Sequence, residues 1–277
     1  GYSFYKDAKL LRLTRYRYND VPMDINGKYL YIKDGDTIWN PGWEPVKTDL
    51  DSYECRHGIG YSRFTSSKND VQASVLTFVP MNDTCEVSQL KLTNNSSEEK
   101  TLSVFSYVEW CLWNADDDSR NFQRNYSTGE VEVVGSTIFH KTEYRERRNH
   151  YAIYSVNAEI AGFDTIREAF LGSYRGAYEP AAVEKGACTN SMASGWQPIA
   201  SHQLNITLAP GETKSYVFVL GYIENPEEEK WESYGVINKT RAYAMLDRYK
   251  TDADVEKAFA ELNDYWKKLL SKYTVKS

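Results

Sequence analysis

Over most of this 277-residue chain, apolar and polar residues alternate with a period of two. That period puts successive side chains on opposite faces of an extended backbone, so each such run reads as a half-buried strand. In Leu204-Asn205-Ile206-Thr207-Leu208 every second side chain is apolar. Ala209-Pro210-Gly211-Glu212 then supplies turn residues, and the apolar-rich run 215–220 follows, which predicts a hairpin. The same design recurs over 87–93 and 102–108, around the polar stretch 94–100. Further strands are expected at 11–18, 29–33, 61–65, 72–78, 131–134, 137–142 and 150–156, with a tight turn at Asp34-Gly35. No helical pattern lies between them, which excludes a parallel α/β sheet. The fold class expected is mainly β, a large antiparallel β-sandwich.

From about residue 227 the alternation stops and charge density rises. Residues 234–248 read as one helix and 254–273 as a second. In the second, Val255, Phe259, Leu262, Trp266, Leu269 and Leu270 recur at helical spacing. Thr251-Asp252-Ala253-Asp254 supplies N-cap chemistry. The chain thus divides into a β-sandwich over 1–226 and C-terminal linker helices over 227–277. The apolar face of the last helix is expected to open a helical domain beyond the chain rather than to pack on the sandwich.

Composition narrows the functional classes. The formal net charge is -6, so there is no basic field for nucleic acid. No apolar run approaches the ~20 residues of a membrane span. The chain opens on Gly1 without a signal-peptide pattern, which suggests a cytoplasmic protein and a piece of a longer one. Cys55, Cys85, Cys111 and Cys188 are widely spaced and read as free, reduced thiols rather than a zinc site. The four histidines form no HExxH, and there is no GxSxG elbow or phosphate-binding glycine loop. Asp116, Asp117 and Asp118 lack the spacing of a calcium loop. The charge run 143–148 reads as a solvated strand end. No metal, cofactor or autonomous active site is expected.

The stretch 114–125, Asn-Ala-Asp-Asp-Asp-Ser-Arg-Asn-Phe-Gln-Arg-Asn, reads from its residues either as a solvated polar loop with a charge cluster or as a candidate sugar site. It combines amide, guanidinium and carboxylate groups with one aromatic, Phe122. Sugar hydroxyls need many short polar partners, and a pyranose face needs a flat ring. The chain also holds 22 Tyr, 7 Trp and 10 Phe. Most of these suit pleated, half-buried sheet positions.

Several long, irregular segments carry a family resemblance. They are Gly1-Tyr2-Ser3-Phe4-Tyr5-Lys6-Asp7-Ala8, Thr14-Arg15-Tyr16-Arg17-Tyr18-Asn19, Trp39-Asn40-Pro41-Gly42-Trp43, Tyr53-Glu54-Cys55-Arg56-His57-Gly58, Asn121-Phe122-Gln123-Arg124-Asn125 and the run from Lys141 to His150. Together they resemble the N-terminal region of the cellobiose phosphorylase group in glycoside hydrolase family 94. The resemblance implies an N-terminal β-sandwich, linker helices and an (α/α)6 barrel, the last absent from this chain. The general acid and main phosphate ligands belong to that barrel, so no catalytic residue is expected here. It implies inversion, with cellobiose and inorganic phosphate giving α-D-glucose 1-phosphate and D-glucose. It also implies a homodimer in which the sandwich lies at the barrel mouth.

By the same resemblance, Arg124 and Gln123 would bind the acceptor glucose, with Phe122 and Asn121 shaping the loop. Tyr2, Phe4 and Tyr5 are lesser candidates for a pocket wall, and Trp39 and Trp43 are expected to be packing residues. A related β-glucan phosphorylase acting on cellodextrin or laminaribiose is a neighbouring reading. Two other classes stay open. A free-standing carbohydrate-binding sandwich would bind cellobiose or cellulose as an isolated chain. A dimerisation module would only self-associate.

Overall fold

The structure is a computed structural model that describes residues 3–15, 27–119, 129–142, 149–195 and 198–272. In chain order its strands are β1 (Arg12–Thr14), β2 (Lys28–Asp34), β3 (Thr37–Trp39), β4 (Ser52–Gly58), β5 (Tyr61–Lys68), β6 (Val71–Phe78), β7 (Cys85–Asn94), β8 (Lys100–Trp113), β9 (Gly129–Val134), β10 (Thr137–Thr142), β11 (His150–Val156), β12 (Gly162–Ile166), β13 (Pro198–Leu208), β14 (Thr213–Glu224), β15 (Trp231–Ser233) and β16 (Val236–Ile237). The helices are α1 (Ala115–Ser119), α2 (Arg167–Leu171), α3 (Ala181–Lys185), α4 (Thr240–Leu246) and α5 (Asp252–Leu270). One sheet runs β12-β13-β8-β2-β3, with β1 added on β8, and the other runs β4-β5-β6-β7-β14-β11-β10-β9. The pairings within these two sheets are antiparallel, as expected of strands joined without intervening helical patterns.

The alternation sorts side chains into layers. Leu102, Val104 and Val108 of β8 face Leu90 and Leu92 of β7 and Phe218 and Leu220 of β14 across the inter-sheet core. Opposite faces of the same strands are also buried. Phe105 and Tyr107 of β8 pack under Phe170 and Leu171 of α2 and Val183 of α3. Val217 and Val219 of β14 pack under Met245 of α4 and Val255 and Leu262 of α5. Burial on both faces explains why β14 reads Tyr-Val-Phe-Val-Leu instead of strictly alternating. Gly221 lies where α4 comes closest, and a Cβ there would stand 2.7 Å from Met245 Sδ.

Three expectations need correction. First, the two predicted hairpins are arches: β7 and β14 pair with each other in the eight-stranded sheet, while β8 and β13 pair in the other. The turn residues reverse the chain but carry it across the core. Asn94, fully buried, joins the two arches by donating to the carbonyls of Glu98 and Leu208. Second, residues 231–237 form the ribbon β15–β16 instead of a helix. Ile237 is buried beneath the sheet, and its N–H donates to Glu132 Oε1 at 3.0 Å, so tertiary contacts override local charge density. The helices that follow begin at Thr240 and Asp252.

Third, α5 packs on the sandwich. Val255 and Leu262 are buried against the eight-stranded sheet, with Phe259 edge-on to Tyr61 at 5.1 Å. Burying two such aliphatic side chains stabilises by ~1.5–3 kcal/mol each, and the sheet's outer apolar residues are the nearest surface that provides it. Thr251 caps the helix in a reciprocal box with Asp254. Asp252 Oδ1 accepts from Gln89 of β7 and Ser215 of β14, which fixes the helix start on the sheet.

Candidate functional site

The strand register separates the two ends of the sandwich. At one end lie tight turns, 35–36 between β2 and β3, 69–70 between β5 and β6, and 135–136 between β9 and β10. At the other lie the end of β8 at Trp113, the start of β11 at His150 opposite Glu224, and the start of β2 at Lys28 opposite Val108. The long connections 15–27, 114–128 and 143–149 all leave from this second end. Sites are carried by such connections, held by a rigid frame. Asn121, Phe122, Gln123 and Arg124 belong to the second connection and lie outside the described residues, as do Tyr2 and the charge run 143–148.

The described root of that connection is built around Glu109, a residue that sequence reasoning passed over inside the aromatic run of β8. Glu109 Oε1 lies 2.7 Å from Arg15 Nη1, and Oε2 accepts from the Tyr107 hydroxyl at 2.9 Å and from Arg167 Nε at 3.3 Å. Arg15 also reaches Asp118 of α1, Nε to Oδ2 at 3.1 Å, and the Arg15 side chain is 6% exposed. Burial opposes the Arg167 charge, but Glu109 outweighs it and holds the guanidinium above its ordinary pKa. The Glu109 main chain also bonds to Arg15 N and Gly27 O, pinching together the two ends of the first connection. Gly27 is required there, because a Cβ would stand 2.8 Å from the Arg15 carbonyl oxygen. One carboxylate therefore ties together the first connection, the root of the second and α2. Paired on both oxygens to cations, it serves as an anchor.

The aspartates of the candidate stretch separate by role. Asp118 is buried on Arg15, whereas Asp116 pairs with Lys9 at 2.7 Å near the surface. Asn114 Oδ1 accepts from Asp116 N, and Lys9 O accepts from Ala115 N, so the N-terminal segment braces the start of α1. Among the described residues no group of three His, Cys, Asp or Glu side chains could hold a metal ion.

Beneath this end lies an aromatic floor. His140 stacks on Trp110 with ring centroids 5.2 Å apart and planes 6° from parallel. Trp113 stands edge-on to His150 at 4.6 Å, and Tyr5 stacks on Tyr222 at 4.0 Å. His140 is fully buried, and burial lowers its pKa to about 3, so it is neutral and unsuited to proton transfer here. Tyr5 thus packs at the edge of the core. Phe4 is 48% exposed. Trp39 is fully buried as expected of a packing residue, but Trp43 is 42% exposed, with Lys47 Nζ 5.4 Å from its ring centroid.

The family model for the glycosyl hydrolase 94 supersandwich domain matches residues 1–252. The chain belongs to glycosyl hydrolase family 94. It is 31% identical over its whole length to N,N'-diacetylchitobiose phosphorylase of Vibrio proteolyticus, and spans 33% of that relative's length. It is 32% identical over 72% of its length to solabiose phosphorylase of Paenibacillus borealis, spanning 26% of it. The family domain thus covers the sandwich with α2, α3 and α4 and ends at the first residue of α5, while the chain spans about one third of the length of the Vibrio relative. Among the described residues, no helix of this family member is long and apolar enough to cross a membrane.

Proposed function

We propose that this chain is the sandwich domain of a longer inverting glycoside phosphorylase that converts cellobiose and inorganic phosphate to α-D-glucose 1-phosphate and D-glucose. The family match over residues 1–252 carries this reading. It is supported by the connections 15–27, 114–128 and 143–149, whose described ends all lie at one end of the frame. In this reading, phosphate attacks the anomeric carbon while a carboxylic acid protonates the leaving oxygen. An inverting hydrolase needs a second carboxylate to activate water. Phosphate is already a nucleophile, so a cradle of cationic and amide donors takes that role. Acid and cradle belong to a barrel domain. This chain contributes the acceptor side, with Arg124 and Gln123 bonding the hydroxyls of the departing glucose and Phe122 and Asn121 shaping the loop. The loop-bearing end sits over a barrel mouth in a homodimer, and the four free cysteines suit a cytoplasmic setting.

A second reading of the substrate rests on the 31% identity to a diacetylchitobiose phosphorylase across the whole chain. Steady-state phosphorolysis by the longer protein separates the two. Cellobiose with phosphate should release glucose 1-phosphate at a kcat/KM at least ten times that for N,N'-diacetylchitobiose. The reverse order would replace cellobiose by the N-acetylated sugar, and no sugar phosphate from either would overturn the phosphorylase reading.

A further inference from the structure

The segments Trp39–Trp43 and Tyr53–Gly58 are not absorbed by the acceptor loop, yet they meet. Asn40, Pro41 and Gly42 form one wall of a cleft of about 660 Å³ between the sheets, and His57 stands on the other. That volume lies within the roughly 300–1,000 Å³ range of small-molecule sites. The wall is fixed by Asn40 Nδ2 donating to Leu30 O and by Ser66 Oγ donating to Pro41 O.

Inner positions of a sandwich should be apolar, and toward the turn end they are: Val71, Ala73 and Val75 on β6, and Leu92 and Leu90 on β7. Toward the loop-bearing end the same faces turn polar, with Thr77 on β6 and Ser88 on β7. The register aligns the change across four strands, since His57 pairs with Ser62, Ser62 with Thr77, and Thr77 with Ser88. His57 Nδ1 and Ser62 Oγ are 2.8 Å apart, and Thr77 Oγ1 and Ser88 Oγ are 2.9 Å apart. Each hydroxyl keeps hydrogen-bonding capacity beyond that one neighbour. Phe64, half-buried, lies beside the row. Opposite, Lys28 Nζ is 2.5 Å from Glu86 Oε1, and Glu44 also lines the space. Lys28, the lysine among the described lining residues, is therefore paired with a carboxylate, which disfavours an anion.

We propose that this cleft binds a neutral mono- or disaccharide. The His57–Ser62–Thr77–Ser88 row takes vicinal hydroxyls, and the Phe64 ring beside it takes the apolar ring face. The inference does not rest on phosphorolysis, because its test contains no phosphate. Cys55 provides the probe. Its Sγ is 3.1 Å from His57 Nε2 on the exposed strand β4, whereas burial raises the pKa of Cys85, Cys111 and Cys188.

The full 277-residue chain is titrated with glucose and with cellobiose by calorimetry, while alkylation of Cys55 by iodoacetamide is followed by peptide mass spectrometry. Saturable binding should slow Cys55 alkylation at least threefold, and glycerol at equal concentration should not. Thr77→Val and Ser88→Ala, with melting temperatures measured alongside, should weaken binding at least fivefold. The footprint needs no substitution, so a variant that fails to fold leaves the test intact. Absence of saturable binding, equal protection by glycerol, or binding that leaves Cys55 unprotected would each overturn the proposal.

Discussion

Glu109 receives Arg15, Arg167 and the Tyr107 hydroxyl in a largely buried setting. Replacing one partner of such a cluster strands the others, at a cost of about 3 kcal/mol. Glu109→Gln should lower stability by that order in urea denaturation, with a smaller loss for Arg167→Gln, whose side chain is 35% exposed. The histidines make a second prediction. Burial lowers His140 and His202 from 6.5 to about 3. Above pH 6.5 neither state binds the proton. Below it the unfolded chain takes up protons that the folded chain refuses, so stability falls with pH down to about 3. Each histidine contributes a slope of about 1.4 kcal/mol per pH unit in that window. Neither His140 ring nitrogen has a hydrogen-bond partner among the described residues. His140→Phe should therefore keep the stack on Trp110, leave stability near its neutral-pH value, and flatten the acid limb by one histidine's share. Little of this was legible in the sequence. A glutamate between Val108 and Trp110 was a visible anomaly, but its two arginines stand 94 and 58 residues away along the chain.

Strands and turns were legible because period two and turn chemistry are local. Which sheet each strand joins was not. The Pro210-Gly211 and Asn94-Asn95 turns have the chemistry of hairpins, yet their flanking strands lie in opposite sheets. A turn specifies reversal, and only the completed core selects its partner. Likewise Val255, Phe259, Leu262 and Trp266 were readable as an apolar stripe, but not the face that covers it. The stripe is shared with the sheet through Leu262, buried beside Val255. Leu262→Ala should cost ~2–4 kcal/mol in a denaturant melt. A loss under 1 kcal/mol would mean that α5 is not an integral layer of the sandwich.

In the whole molecule, two sheets coated by helices on both outer faces present one end of tight turns and one end of long connections. Three long connections, 15–27, 114–128 and 143–149, have their described ends at the second end. The proposed acceptor contacts come only through the resemblance to family 94, since residues 121–125 by themselves read as an ordinary polar loop. Glu109 and Arg15 lock the root of the 114–128 connection, and α1 is braced by Lys9. The most direct test is the pair of Michaelis constants of the longer enzyme before and after Arg124→Ala. The acceptor-side assignment predicts a KM for cellobiose raised at least tenfold and a KM for phosphate changed less than twofold. Equal changes in both constants, or no change in either, would contradict it.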